Sequence, residues 1–277
     1  MKNILPVLHS AIIIMTPLLF AASGGLFTEF AGMLNIALEG LLLAGAFSAI
    51  AVTWYTGSFV AGLIAAILAS LMLSALLAFT TLKLRSNVFI AGLALNLLAS
   101  GLTIVLSQHF FGTRGVVALP DGKGLFFSQN VYVYASWFLL FLSWVILYKT
   151  PFGYRLRACR KNAESLVSLG IKPDFYRWAA FLISGIFCGI GGSFLGFNIG
   201  AFVPNMTAGK GWIALVVIFL GVRRPMGLLA AAFVYGLADA FSNYAQGLLN
   251  IPADFILAMP YLLTLLAMVI VSARVRL

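Results

Sequence analysis

The sequence predicts an all-α, polytopic integral membrane protein of eight or nine transmembrane helices, forming one membrane domain over residues 1–277. Three observations predict it. Hydrophobic residues make up 62% of the chain and charged residues only 9%. A soluble domain carries about 25% charged residues, so lipid must be the solvent over most of this chain. The apolar residues fall in long continuous runs, with none of the polar–apolar alternation of a barrel strand. Helices satisfy their backbone groups internally and are the remaining choice. The seventeen basic residues cluster between the runs, beside the ends of the spans.

A span needs about 20 apolar residues. Nine segments meet or approach that: 5–27, 33–54, 58–81, 88–110, 130–148, 178–200, 211–222, 226–248 and 253–273. The first has some look of a signal peptide, with Lys2, an apolar run and Ala21-Ala22-Ser23. Its apolar stretch is longer than the usual 7–15 residues, which makes it a span. The seventh is short and reads as a half-span or as a re-entrant partner of its neighbour.

Loop charges set a direction. Thirteen basic residues fall on one side: Lys83 and Arg85, seven between Lys149 and Arg177, Arg223 and Arg224, Arg274 and Arg276. Four fall on the other: Lys2, Arg114, Lys123 and Lys210. Positive charge stays in the cytoplasm. The N-terminus is therefore expected outside and the C-terminus inside. This rule also accounts for the net charge of +10 without nucleic acid. Cys159 and Cys188 lack metal or disulfide spacing and read as free thiols. His9 and His109 have no third ligand in the sequence, so no metal site is expected.

Polar residues inside spans are functional candidates, because burying them in lipid is costly. Asn35 and Glu39 stand four apart, on one face if the segment is helical, flanked by Gly32 and Gly40. They line a pathway, or they satisfy backbone groups at a helix break. Asn96 lies in the middle of the fourth span; Asp239 and Asn243 lie four apart in the eighth. These line the same pathway, or bond between helices. Glu29 and Asp254 border span ends and need no special role. In the sixth span Ser184, Cys188, Gly192, Gly196 and Gly200 recur every fourth residue, a pattern for close helix packing.

Residues 149–177 form the largest cytoplasmic loop and hold a short helix with both ends marked. Asn162 is placed to cap it, with Ala163, Glu164 and Ser165 in the first turn; Glu164 complements the positive helix end. Gly170 suits a left-handed end and Pro173 prevents continuation. Leu166, Val167 and Leu169 are apolar residues outside the membrane and need a cover. Two readings stay open: a helix lying on the membrane or bundle, or a coupling helix that enters a groove on a cytoplasmic ATPase. No ATP site is present in this chain; Ala208-Gly209-Lys210-Gly211 lacks the first glycine and the hydroxyl of a phosphate loop.

Several stretches are similar to a known family. Phe30 to Phe47, with Asn35-Ile36-Ala37-Leu38-Glu39-Gly40 at its centre, resembles a signature of ABC-importer permeases. The branch is that for nucleosides and simple sugars, related to ribose and branched-chain amino acid permeases. Ile90 to Thr103, Arg155 to Ile171, Ala208 to Leu215, Gly221, Pro225 and Gly236 to Ala240 continue the match in order. The resemblance implies a type II ABC importer-like permease and favours the coupling-helix reading. It implies a cytoplasmic ATP-binding subunit, a second and longer homologous permease (or a second copy), and an external binding protein or lipoprotein. ATP and Mg would sit on the partner, with no cofactor and no catalysis on this chain. Its substrates would be nucleosides, riboflavin or, more distantly, sugars. One departure is Cys159-Arg160-Lys161-Asn162-Ala163 where the family has Gly-Glu-Asn-Pro.

The expectation is thus a permease subunit of an ATP-driven importer in a bacterial cytoplasmic membrane, with Asn35, Glu39, Asn96, Asp239 and Asn243 along the pathway. The alternative is an ion-coupled transporter using Glu39 or Asp239.

Overall fold

The computed structural model describes residues 4–120, residues 129–246 and Leu262. In chain order they form α1 (Ile4–Phe30), α2 (Leu38–Thr56), α3 (Phe59–Ala78) with a π-helical turn (Phe79–Lys83), and α4 (Val88–Phe111). Then follow β1 (Val117–Ala118), α5 (Gln129–Lys149), α6 (Pro151–Lys161), α7 (Ala163–Ser168) and α8 (Pro173–Ile199). The described chain continues with β2 (Ala201–Phe202), α9 (Lys210–Leu220) and α10 (Pro225–Gln246). Among the described residues seven helices are long and apolar enough to cross a membrane: α1–α5, α8 and α10. Of the ninth expected span, 253–273, only Leu262 is among the described residues.

Helix α8 is the most enclosed span and packs on α1, α2 and α3. Its small residues make this possible. A Cβ on Gly192 would fall 2.3 Å from the Leu42 carbonyl oxygen, and one on Gly189 2.6 Å from the Ile67 Cα. In lipid no hydrophobic force draws helices together, so such backbone-to-backbone contact is what holds them. The four-residue spacing of small residues is therefore a packing feature, as expected. Helix α3 faces outward with a stripe of Val60, Ile64, Leu68, Met72 and Leu76, an apolar surface suited to lipid.

The ends of the bundle differ. At one end gather Lys83, Lys172, Arg160 and Arg223. At the other, the Tyr55 hydroxyl donates to the Phe110 carbonyl, and β1 pairs antiparallel with β2 through Val117–Phe202 and Ala118–Ala201. The described basic loops thus share one end, as the charge pattern requires.

One expected span is corrected, and the short seventh segment is the half-span that its length suggests. Helix α1 ends at Phe30, and α2 begins only at Leu38, so Asn35 is not helical. Gly32, at φ +78°, turns the chain out of the helix, and Met33 N–H closes back on the Thr28 carbonyl. Helix α9 has 11 residues and a length of about 16 Å. That is about half the hydrocarbon core. Its C-terminal side lies at the basic end, through Arg223, so its start is near mid-membrane. Lys210 opens this helix and is not a residue of an outer loop.

Candidate functional site

Two arrangements carry the chemistry: a polar junction inside the bundle and a small helical assembly at the basic end. The junction forms where α2 and α9 begin. A helix start leaves backbone N–H groups without partners, and in lipid each must find one. The Glu39 carboxylate accepts Gly209 N–H (2.8 Å) and Gly211 N–H (2.6 Å), so it caps α9. Its negative charge also complements the positive end of that helix. Asn96, from α4, accepts Gly40 N–H (2.8 Å) through Oδ1 and donates to the Ile36 carbonyl (3.0 Å) through Nδ2. One amide thereby joins the start of α2 to the break before it. Asn35 is fully buried; it accepts Ala37 N–H (3.0 Å) and donates to the Ser184 hydroxyl (2.9 Å) of α8.

The structure thus brings Asn35, Glu39 and Asn96 together as the fasteners of two broken crossings. Asn35 and Glu39 do not share a helix face, because α2 begins only at Leu38 and Asn35 lies in the turn before it. Beside Asn96, one turn on, Ser100 donates to Asn205 (2.8 Å) on the exposed side of the junction. Sequence reading singled out neither residue. Asn205 has φ +55°, a left-handed conformation that Asn tolerates.

Asp239 and Asn243 are not part of this network. Asp239 is half-buried on α10, within electrostatic range of Lys210. Asn243 is exposed and lines a groove of about 360 Å³ between α1 and α10, with Pro6, Ser10 and Tyr244.

At the basic end α6, α7 and the start of α8 fold into a compact unit. Thr150 caps α6 through Gly153 N–H (3.3 Å), and Leu156 and Cys159 anchor it inside. Residues 151–161, expected as loop, are this helix. The guanidinium of Arg157 lies over the rings of Tyr148 and Tyr154, at 4.8 and 4.9 Å. Burial pushes the Cys159 thiol up from its ordinary pKa, with the charge of Arg177 opposing. Asn162 caps α7 by accepting Ser165 N–H (3.1 Å), Glu164 sits in the first turn, and Gly170 follows at φ +73°.

One expectation about α7 changes. Leu166 is 5% exposed and packs into the protein's own core, whereas Val167 is 62% and Leu169 74% exposed. A helix this short has one inward face, and Leu166 occupies it. Val167 also borders a cavity of about 610 Å³, with Leu82, Lys83, Ile171, Phe175 and Trp178 on its walls.

Glu29, which needs no special role on sequence grounds, is 7% exposed at the end of α1. It holds Arg160 (3.0 Å) from α6 and Arg223 (2.8 Å) from the turn after α9. Both guanidinium groups meet the same oxygen, Oε1.

A family model described as branched-chain amino acid transport system / permease component matches residues 7–272. The chain belongs to this permease family. The guanosine ABC transporter permease protein NupQ of Bacillus subtilis is 31% identical over 95% of this permease and 90% of its own length. The nucleoside ABC transporter permease protein NupC of Lactococcus lactis is 29% identical over the same shares, 95% and 90%. A relative named for glucose transport, TsgC13 of Haloferax volcanii, is 31% identical over 84% of this permease and 75% of its own chain. Among solved structures, an ABC transporter of the metal-chelate type in an inward-facing conformation aligns with a TM-score of 0.52 and 19% identity. That alignment covers 92% of this permease and 81% of the other chain, and it shows a shared fold. The expected permease fold is therefore the observed one. The helix count is approximate only because of the half-helix α9 and the last expected span.

Proposed function

We propose that this permease is the membrane-spanning subunit of an ATP-driven importer of nucleosides. One observation carries the reading: the likeness to guanosine and nucleoside permeases extends over 95% of the chain. It includes the junction and the basic-end helices. The relative named for glucose matches a smaller share.

In this reading a cytoplasmic ATP-binding chain binds ATP and Mg²⁺ and docks on α7. The exposed Val167 and Leu169, beside the cavity at Phe175 and Trp178, supply the apolar contact. A second permease subunit completes the pathway, and an external binding protein delivers the cargo. The basic end would face the cytoplasm, with the N-terminus outside and the C-terminus inside. Asn35, Glu39 and Asn96 hold the wall of the pathway in shape, and Ser100 with Asn205 presents hydrogen-bonding groups at its surface. A nucleoside's ribose and base offer matching donors and acceptors. Asp239 and Asn243 would act further along the same route.

The test is uptake of radiolabelled guanosine and uridine into proteoliposomes holding this permease with its ATP-binding and permease partners, with the binding protein added outside. Uptake that requires enclosed ATP is expected. Uptake driven by a proton gradient with no ATP-binding chain overturns the ATP-driven reading. ATP-dependent uptake of glucose but of no nucleoside overturns the substrate.

A further inference from the structure

We propose that Glu29 is a positioning residue that couples the docking segment to the half-helix α9. The inference rests on the ATP-driven reading above. Arg160 lies two residues before Asn162, the cap of α7, and Arg223 follows α9 by three residues. One buried carboxylate oxygen holds both. The approach on the α6 side is close: a Cβ on Gly32 would stand 3.2 Å from the Arg160 Cα. On the other side the turn is strained. Val222 and Arg223 both have positive φ, 52° and 55°, which a β-branched residue rarely adopts. Strain of this kind persists only where surrounding contacts hold it, and the Glu29–Arg223 bond is one such contact.

The far end of α9 is fixed as well, by Glu39 at Gly209 and Gly211. Glu39 lies in the first turn of α2, where the next residue, Gly40, is bonded to Asn96 of α4. An unbroken run of contacts therefore leads from the docking helix through Glu29 and α9 to the polar junction. A push on α7 displaces Arg160, and Glu29 transfers it to Arg223 and the base of α9. Without the carboxylate, the two guanidinium groups face each other as like charges. The link would then change from attractive to repulsive, and the docking segment would move without α9.

This differs from a merely structural ion pair in what it predicts for the reaction. Glu29→Gln and Arg223→Gln should each assemble with the ATP-binding chain at wild-type yield and allow ATP hydrolysis. Nucleoside taken up per ATP hydrolysed should fall about tenfold, the size of an ordinary coupling energy. Glu29→Asp, which keeps the charge, should restore most of the ratio. Arg223 is nearly half-exposed, so its variant reports even if Glu29→Gln does not accumulate in the membrane. A wild-type ratio in the Arg223 variant overturns the inference. So does a proportional fall of yield, hydrolysis and uptake together, the mark of a structural role alone. Wild-type proteoliposomes without ATP-dependent uptake would instead overturn the reading on which the inference rests, and the inference with it.

Discussion

The Glu39 carboxylate and the Gly211 backbone meet at the start of two helices: Oε2 accepts the Gly211 N–H at 2.6 Å, and a Cβ on Gly211 would lie 2.3 Å from the Glu39 nitrogen. The cap and the close approach depend on each other. Removing the carboxylate leaves two N–H groups at the α9 start without this acceptor. A hydrogen bond to a charged group contributes about 1.5–3 kcal/mol net. Glu39→Ala should therefore lower the stability of the purified permease by about 3 kcal/mol or more, read as a lower unfolding temperature in detergent. Glu39→Gln keeps one acceptor oxygen and should fall between the two. Gly211→Ala should destabilise by a similar amount, since its new methyl meets the backbone of Leu38 and Glu39. An unchanged melting temperature for Glu39→Ala would show that the cap is dispensable.

What could be read without a structure follows from how local each signal is. Span positions were legible because a long apolar run has one stable form in lipid. The ends of α7 were legible because Asn162 and Gly170 act within a few residues of themselves. The sequence places Asn35 on a helix because its apolar run begins at Met33, whereas α2 starts only at Leu38. Glu29 was passed over because Arg223 is 194 residues away in sequence. No local pattern distinguishes an acid beside a span end from one that joins three segments. The junction was half legible: the polar residues stood out, but their partners are backbone groups, which carry no sequence signature.

Leu166 and Leu169 illustrate the same limit and give the second prediction. Sequence reading treats them alike, yet only Leu166 faces inward. Leu166→Asp places an unpaired charge in the core and should cost about 4 kcal/mol or more, lowering the yield of folded protein. Val167→Asp with Leu169→Asp alters exposed positions and should leave folding intact. Burying two such side chains in a partner contributes about 1.5–3 kcal/mol each. Their loss should weaken capture of the ATP-binding chain by about a hundredfold or more. Copurification from detergent, with gel filtration of the permease as the folding control, separates the two effects. Wild-type capture by the double variant would remove α7 as the docking element.

The packing of α8 makes a prediction that is independent of ATP. Gly192 and Gly101 are both helical glycines, and propensity alone would favour alanine at each by about 0.5–1 kcal/mol. Their surroundings differ. At Gly101 nothing lies within 4 Å of an added Cβ, while at Gly192 the Leu42 oxygen would stand at 2.3 Å and the Ala46 nitrogen at 2.8 Å. Those are backbone atoms, so relief requires α8 and α2 to separate. Overpacking of this kind costs about 1–3 kcal/mol, which exceeds the propensity gain. Gly192→Ala should lower the unfolding temperature in detergent, and Gly101→Ala should leave it unchanged or raise it slightly. The separation of α8 from α2 would also pull Ser184 from Asn35, because their bond at 2.9 Å joins α8 to the turn that leads into α2. Gly192→Ala should therefore lose uptake even where folded protein remains. Equal stability of the two variants would mean that α8 and α2 are less closely packed than the structure places them.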